Sequence, residues 1–528
     1  MKKIATIIMG LLLFVVFFGC STQETTTSPL TVGTTTTIAA TTTVSTTFTT
    51  ITSAQTTTHS STETTNTTVT LSDLALAAEA LDNPYRVALF ITDDPATKMG
   101  FNFEMPSDSG GFVEIAPQGA ETYNRHEATS KHRPIRTKQA YLYACTITDL
   151  TPGETYVYRV TNTDLSETSA YYEFTMPQAE AESFTFMFLP DPQGNWDYAY
   201  RLYGAAMISV LDYAQTNYDF VMIPGDIVND ADIKSQWEWF FRYSSVYSFN
   251  KPLAATSGNH DIGNFDEERI QNLEYDGYLN LPNNGPTYDL FDELDSDLRS
   301  PDFDNGKTYS FDYGQAHFVV INTEMYCNGG GYTTCSVYDE TNAAILENWL
   351  RIDLENTNKP WKIVMLHRGP YSLSYDTGTV RDQLVPIFDE FDVDLVLAGH
   401  DHQYSRAVYT GGQIVGFSEA NPIEHGEISL DTEMTETRNF NDYLSSVGTT
   451  YLTGNTTGTK FYGGEKSSGI EVNYKFTGEY PVISLITIDL NSVVVNSYVV
   501  ERPTVLTIDP TRVSLLEQFS INKAEPVA

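Results

Sequence analysis

The sequence predicts an α/β fold, helices packed over sheets, preceded by an all-β sandwich. Three observations predict it. Short β-rich runs separated by turn residues fill residues 83–177 without any long helical period. From residue 183 to about 502, buried-type strands alternate with helical stretches. Five polar clusters in that second part each follow directly on a strand-like apolar run.

The β-rich runs of the first part are Tyr85–Thr92, Gly111–Ala116, Ala140–Thr146, Thr155–Thr161 and Ala170–Thr175. The segment from Asp149 to Arg159, with Pro152-Gly153 before an alternating Tyr-Val-Tyr run, resembles the turn and strand of a fibronectin type III-like sandwich. Cys145 sits in such a run and reads as a buried small hydrophobe. The basic stretch Lys131–Lys138 reads as a solvated loop. No catalytic constellation shows in this part.

In the second part the helical stretches are Tyr198–Gln215, Ile233–Tyr247 and Asn342–Asn356. The strand-like runs are Phe184–Leu189, Phe220–Ile223, Pro252–Ala255, His317–Asn322, Lys362–Leu366 and Leu395–Leu397, with a β-rich run Pro481–Val500 completing a second sheet. Asp261–Asn305 and Glu419–Ser446 are acidic and poorly periodic, as functional lids or insertions are.

The ends and the overall charge bound the setting. Residues 1–20 read as a secretion signal: Lys2 and Lys3, an apolar run from Ile7 to Phe18, then Gly19-Cys20. The pattern resembles a bacterial lipoprotein signal with Cys20 as the lipidated residue; the other reading is a short transmembrane anchor, for which the run is short. Residues 21–70 are Thr-rich and too poor in apolar residues to offset ordering entropy, a disordered spacer. Together these place the protein outside the cytoplasm, lipid-anchored to the cell membrane or secreted. Of four cysteines, Cys327 and Cys335 flank a Gly-rich loop and can form a disulfide in an oxidising compartment. With 69 acidic against 30 basic side chains and a net charge of -39, the surface excludes nucleic acid as a bulk partner. A small phosphate can still bind if metal ions supply local positive charge.

The five clusters are Asp191-Pro-Gln193-Gly194, Gly225-Asp226-Ile-Val-Asn229-Asp230, Gly258-Asn259-His260-Asp261, His367-Arg368-Gly-Pro-Tyr371 and Gly399-His400-Asp401-His402. Ligands of open α/β sheets bind outside the carboxyl ends of strands, where these clusters fall. Carboxylate suits hard cations, and imidazole suits zinc, iron or nickel. A carboxylate can bridge two ions, and a His-x-His pair can send its rings to different ones. Two such ions clamp the attacking and leaving oxygens of a displacement at phosphorus.

This ordered set resembles the calcineurin-like metallophosphoesterases. The preceding sandwich and the segment Gly448–Gly454 resemble the purple acid phosphatases in particular, over about residues 83–500. The resemblance implies a metallophosphoesterase-type β-sandwich flanked by helices. It implies two metal ions, drawn from iron, zinc and manganese, with Asp226 bridging them. Asp191 and His402 would bind the first ion, and Asn259, His367 and His400 the second. His260 would stand in the outer shell, stabilising the phosphoryl group or protonating the leaving oxygen. Two positions depart from the pattern. Asn229 stands where purple acid phosphatases have a tyrosine ligand, and Gln193 where the wider superfamily has histidine. Either can offer an amide oxygen. Arg368 and Tyr371 are candidates for phosphate or substrate contact, Arg by its bidentate fork. Trp196 and Tyr198 can wall the pocket or belong to the core. His317, within an apolar strand, reads as structural.

The implied activity is hydrolysis of small phosphate monoesters by a metal-bound hydroxide. A phosphodiesterase or nucleotidase on the same ions is the alternative, and a surface adhesin with weak or no catalysis is a third reading.

Overall fold

The structure, a computed structural model, describes residues 83–523 apart from 132, 136–137, 262–272, 288–306, 325–339, 376, 416–442, 445–447, 463–469 and 502–509. The signal with Cys20, the Thr-rich spacer, Cys327, Cys335 and most of both acidic segments lie outside the described residues.

Two sheets face one another. The first has three parallel strands at its centre, Ser183–Phe188, Phe220–Ile223 and Leu253–Ala255, continued by the antiparallel strands Val482–Asp489, Ser492–Val500 and Val513–Asn522. The second has four in parallel, Ala316–Ile321, Trp361–Leu366, Leu395–Ala398 and Thr449–Thr453. Between them lies one apolar layer that includes Phe186, Phe220, Phe318, Ile363, Leu397 and Ile486. Helices Asp197–Ala214 and Lys234–Tyr243 cover the outer face of the first sheet through Tyr203, Met207, Trp237 and Phe240. Helices Glu340–Asn356 and Gly378–Glu390 cover the second through Leu346, Leu350, Leu384 and Phe388. A strand covered on both faces must be apolar on both, which is why Phe220–Ile223 is a continuous apolar run, buried throughout. The result is the expected α/β sandwich flanked by helices.

Residues 83–177 form an all-β part around its own core of Phe101, Phe103, Val113, Tyr158 and Phe174. Its first strand, Ala88–Phe90, pairs in parallel with Leu253–Ala255 through Phe90 and Leu253. The all-β part is thereby joined by hydrogen bonds to the first sheet. That sheet also takes in Val513–Asn522, beyond residue 502.

Several elements differ from expectation for local reasons. The basic stretch read as a loop contains the strand Arg133–Ile135, paired with Lys138–Ile147. Asn124–Ser130 is a strand with an almost wholly exposed sequence, so its periodicity is silent. Gly378–Glu390 is helical despite Pro386 inside it. Within the first acidic segment, Leu273–Tyr278 is a helix that buries Tyr275 and Tyr278 against Trp237. Trp196 and Tyr198 are not core: they are 73% and 48% exposed.

Candidate metal centre

Each polar cluster begins where a parallel strand ends. Asp191 and Asp226 follow Ser183–Phe188 and Phe220–Ile223, and Asn259 follows Leu253–Ala255. His367 follows Trp361–Leu366, and His400 and His402 follow Leu395–Ala398. The chain turns abruptly there, and Asp191, Asp226, His400 and His402 all hold positive φ, between 48° and 71°. Side chains other than glycine rarely adopt that region, and such outliers cluster at functional sites. Gly225 and Gly258 let two of these turns touch: a Cβ on Gly258 would stand 2.2 Å from Asp226 Oδ1.

The turns bring the predicted residues together. Asp191, Asp226 and His367 each offer a ligand atom within 4.8 Å of the others. His367 Nε2 lies 3.5 Å from Asp226 Oδ1 and 3.2 Å from Asn259 Oδ1. Its Nδ1 donates to the Pro224 carbonyl at 2.8 Å, so the Nε2 lone pair faces the carboxylate. His402 repeats the device. Its Nδ1 donates to the carbonyl of Lys460, and its Nε2 stands 3.6 Å from Asp191 Oδ1. The backbone N–H of His400 donates to Asp191 at 3.0 Å, and the rings of His367 and His400 are 5.0 Å apart. His400 Nε2 is 3.0 Å from Arg368 Nη1.

Electrostatics fit the geometry. Burial, then the charge of Asp226, pushes the Asp191 carboxyl up. Burial pushes Asp226 up too, but the facing His367, His260 and Lys460 outweigh it and hold it below the usual carboxylate range. Burial lowers His402 to about 3 and lowers His400 as well, so both rings are neutral. Neutral imidazoles beside buried carboxylates are the donor states that metal binding requires.

The chain matches the model of the calcineurin-like phosphoesterase family over residues 184–404. Residues 84–176 match the purple acid phosphatase N-terminal domain. The chain carries a calcineurin-like metallophosphoesterase domain. Purple acid phosphatase 21 of Arabidopsis thaliana is 26% identical over 198 residues, 36% of this chain and 39% of that protein. Human acid phosphatase type 7 is 24% identical over 303 residues, 52% of this chain and 58% of its own length. The chain thus spans less than two thirds of these relatives. A purple acid phosphatase from yellow lupin seeds superimposes with a TM-score of 0.58 at 16% identity, covering 84% of this chain and 75% of that one. The fold is shared.

This fold implies a dinuclear metal centre, and the metallophosphoesterase domain fits one. Two buried carboxylates beside one another carry a repulsion that cations relieve, and the lone pairs of His367 and His402 are aimed at them by carbonyls.

The remaining predicted residues divide. His260 belongs to the site without aiming Nδ1 at the carboxylates: its backbone N–H donates to Asp226 Oδ1 at 2.9 Å, its Nδ1 to the Asn229 carbonyl at 2.7 Å. Gln193 Nε2 donates to Asp226 Oδ2 at 2.7 Å, which turns its oxygen away from the carboxylates. Arg368 is near the site but grips Glu324 with two nitrogens, at 2.6 and 3.0 Å. Tyr371 is a correction. Its ring stacks on Tyr409 at 3.7 Å within the core under the second sheet's helices, because the chain after Gly369 turns back over Ala398.

Sequence reasoning missed Glu324, Lys460, Tyr375 and Tyr462. Glu324 follows the strand Ala316–Ile321 in the same strand-then-polar pattern, a sixth cluster that could have been read. Tyr375 and Tyr462 face the His400 and His402 rings at 4.4 and 4.5 Å. Asp261 and Asp401, quoted in their motifs without a role, brace loops: Asp261 accepts from Gly258 and Val228 N–H groups, Asp401 from Leu373 N–H and Ser372 hydroxyl.

Proposed function

We propose that this protein is an extracytoplasmic, metal-dependent hydrolase of phosphate monoesters acting through a dinuclear centre. The observation that carries the reading is the convergence of Asp191, Asp226 and His367, from two different sheets, within 4.8 Å. Asp226 would bridge, Asp191 and His402 would hold the first ion, and Asn259, His367 and His400 the second. Iron, zinc and manganese all suit this mixed oxygen and nitrogen set. When bound, the ions neutralise phosphoryl charge and acidify a water.

The protein's own groups do the rest. The Pro224 and Lys460 carbonyls fix the tautomers of His367 and His402. Asp261 holds the Asp226 and Asn259 loops in register. His260, fixed through Nδ1 and with Nε2 against the Lys460 ammonium, would act on a phosphoryl or leaving oxygen.

The test is metal analysis of the purified protein with a panel of monoesters and diesters. Monoester turnover that chelation abolishes and metal restores is expected. Preference for diesters would favour the phosphodiesterase or nucleotidase reading. A folded, metal-loaded protein without turnover would leave the adhesin. For location, Cys20→Ser should release the protein or leave its signal uncut, and cytoplasmic wild-type protein would sink the anchor.

A further inference from the structure

The strand Thr449–Thr453 is followed by Gly454-Asn-Thr-Thr-Gly-Thr-Lys460, whose sequence carries none of the expected ligands. The structure ties this loop to the turn of Asp191. Thr456 Oγ1 donates to the Asp191 carbonyl at 2.6 Å, and Thr457 donates to the Pro190 carbonyl from both its N–H and its hydroxyl, at 2.7 and 2.8 Å. Gly458 packs on the Pro192 and Gln193 carbonyls, where a Cβ would meet both at 2.8 Å. The end of the loop delivers the Lys460 ammonium into the site. Nζ stands 2.7 Å from His260 Nε2, 3.0 Å from Gln193 Oε1 and 3.4 Å from Asn229 Oδ1.

The geometry points to Lys460 as a phosphate-binding residue of this centre, one that holds a non-bridging oxygen of a dianionic phosphate monoester. The inference rests on the proposed hydrolase reading and adds a substrate-binding residue to it. All three of these acceptors are uncharged, two amide oxygens and an imidazole nitrogen. They orient the ammonium without forming an ion pair with it; the Asp226 and Asp191 charges act on it from further off, and two bound cations would take those charges up and leave the ammonium to an anion. An incoming oxyanion needs to replace only the longest of the three, that to Asn229. The partner at 2.7 Å is His260, which accepts from the ammonium through Nε2 and so holds it at the phosphoryl side of the site.

Lys460 also accounts for the two departures from the family pattern. Position 229 holds a tyrosine in the purple acid phosphatases and position 193 a histidine in the wider superfamily, and both amide oxygens here are given to the ammonium. Because Gln193 Nε2 must face the Asp226 carboxylate, which only accepts, Oε1 must face Lys460. Gln193 and Asn229 together form the seat of a fixed cation. A monoester dianion offers more free oxygen and more charge to that cation than a diester monoanion does.

The test titrates inorganic phosphate into the metal-loaded full chain by calorimetry, for wild type, Lys460→Met and Lys460→Arg, with metal content measured for each. Lys460→Met is expected to bind phosphate at least about tenfold more weakly, the loss of one charge-assisted hydrogen bond, with metal content unchanged. Lys460→Arg should recover most of the affinity. The ratio of monoester to diester kcat/KM should fall in the Met variant. Unchanged phosphate affinity in Lys460→Met, or loss of metal in it, would overturn the inference. A second measurement needs no variant: inorganic phosphate should protect Lys460 of the wild-type protein from amine acetylation, read by mass spectrometry. Equal labelling with and without phosphate would overturn it too. A wild-type protein that neither binds phosphate nor cleaves monoesters would instead sink the hydrolase reading.

Discussion

Among the described residues, two regions bury histidine, and they do so in opposite ways. At the strand ends, His402 gives Nδ1 to a backbone carbonyl, keeps its Nε2 lone pair and is held neutral, down to about 3, by burial. On the second sheet, His317 sits between two carboxylates, Asp312 at 2.7 Å from Nδ1 and Asp353 at 2.9 Å from Nε2. Burial pushes its ring down, but the two carboxylates outweigh that and lift it to about 9. The same side chain keeps a lone pair in one place and is a cation in the other. The partner of each ring nitrogen decides which. A carbonyl leaves a lone pair for a metal, whereas two carboxylates use both nitrogens as donors.

The largest effect expected on the first region comes from Asp226, whose carboxylate faces His367, Gln193 and the His260 N–H. Asp226→Asn removes charge that both ions would share. Turnover should fall by a factor on the order of 10³ or more, with loss of metal, since charge neutralisation by the ions is worth several kcal/mol. Full activity in that variant would show that the neutral histidines gather around something other than a metal pair.

His260→Ala sharpens the distinction within the region. Its Nδ1 is bound to the Asn229 carbonyl and its Nε2 to Lys460, so its removal should leave metal content intact. Turnover should still drop by about 10²–10⁴, the range for loss of a general acid or base. Metal loss on this change would make His260 a ligand and break the division.

Much of the site was legible in the sequence because strand ends announce themselves: an apolar run stops and Gly, Asp, Asn or His begins. That grammar placed Asp191, Asp226, Asn259, His260, His367, His400 and His402 together. It failed where a residue's direction depends on the turn. Tyr371 lies four residues past His367 but points into the core, onto Tyr409. Lys460 lay hidden because a lysine in a Thr- and Gly-rich loop has no periodicity, and only the bonds of Thr456 and Thr457 to the Asp191 turn carry it inward. The sandwich was legible from its doubly apolar strands. The strand Asn124–Ser130 was not, since its backbone pairs while most of its side chains, Ala128 apart, face water.

A third prediction concerns colour. Purple acid phosphatases owe theirs to a tyrosinate on ferric iron, and Asn229, whose amide oxygen faces Lys460, cannot supply one. The iron-loaded protein is expected to lack a strong visible band, and Asn229→Tyr to gain one. A band in the wild type would put another phenol on the metal. Tyr462 is placed for that, with its ring 4.5 Å from that of His402, although burial raises its pKa and opposes ionisation.

The smallest effect belongs to the second region and reads its charge directly. His317 is raised from its ordinary value of 6.5 to about 9 in the folded protein. A group whose folded pKa lies above its unfolded one stabilises the fold fully below the unfolded value, and loses that contribution as pH rises through the folded value. The contribution of His317 is therefore complete below about 6.5, declines above it and is gone past about 9. It amounts to at most about 3 kcal/mol, less whatever solvent screens at Asp312, whose side chain is 52% exposed. Denaturant midpoints of wild type and His317→Gln should differ at pH 6 and converge by pH 10. His402 offers no such signature in that window, because it is already neutral well below it. A gap between the two proteins that stays constant from pH 6 to 10 would mean that His317 packs as a neutral ring, and the contrast between the two regions would vanish.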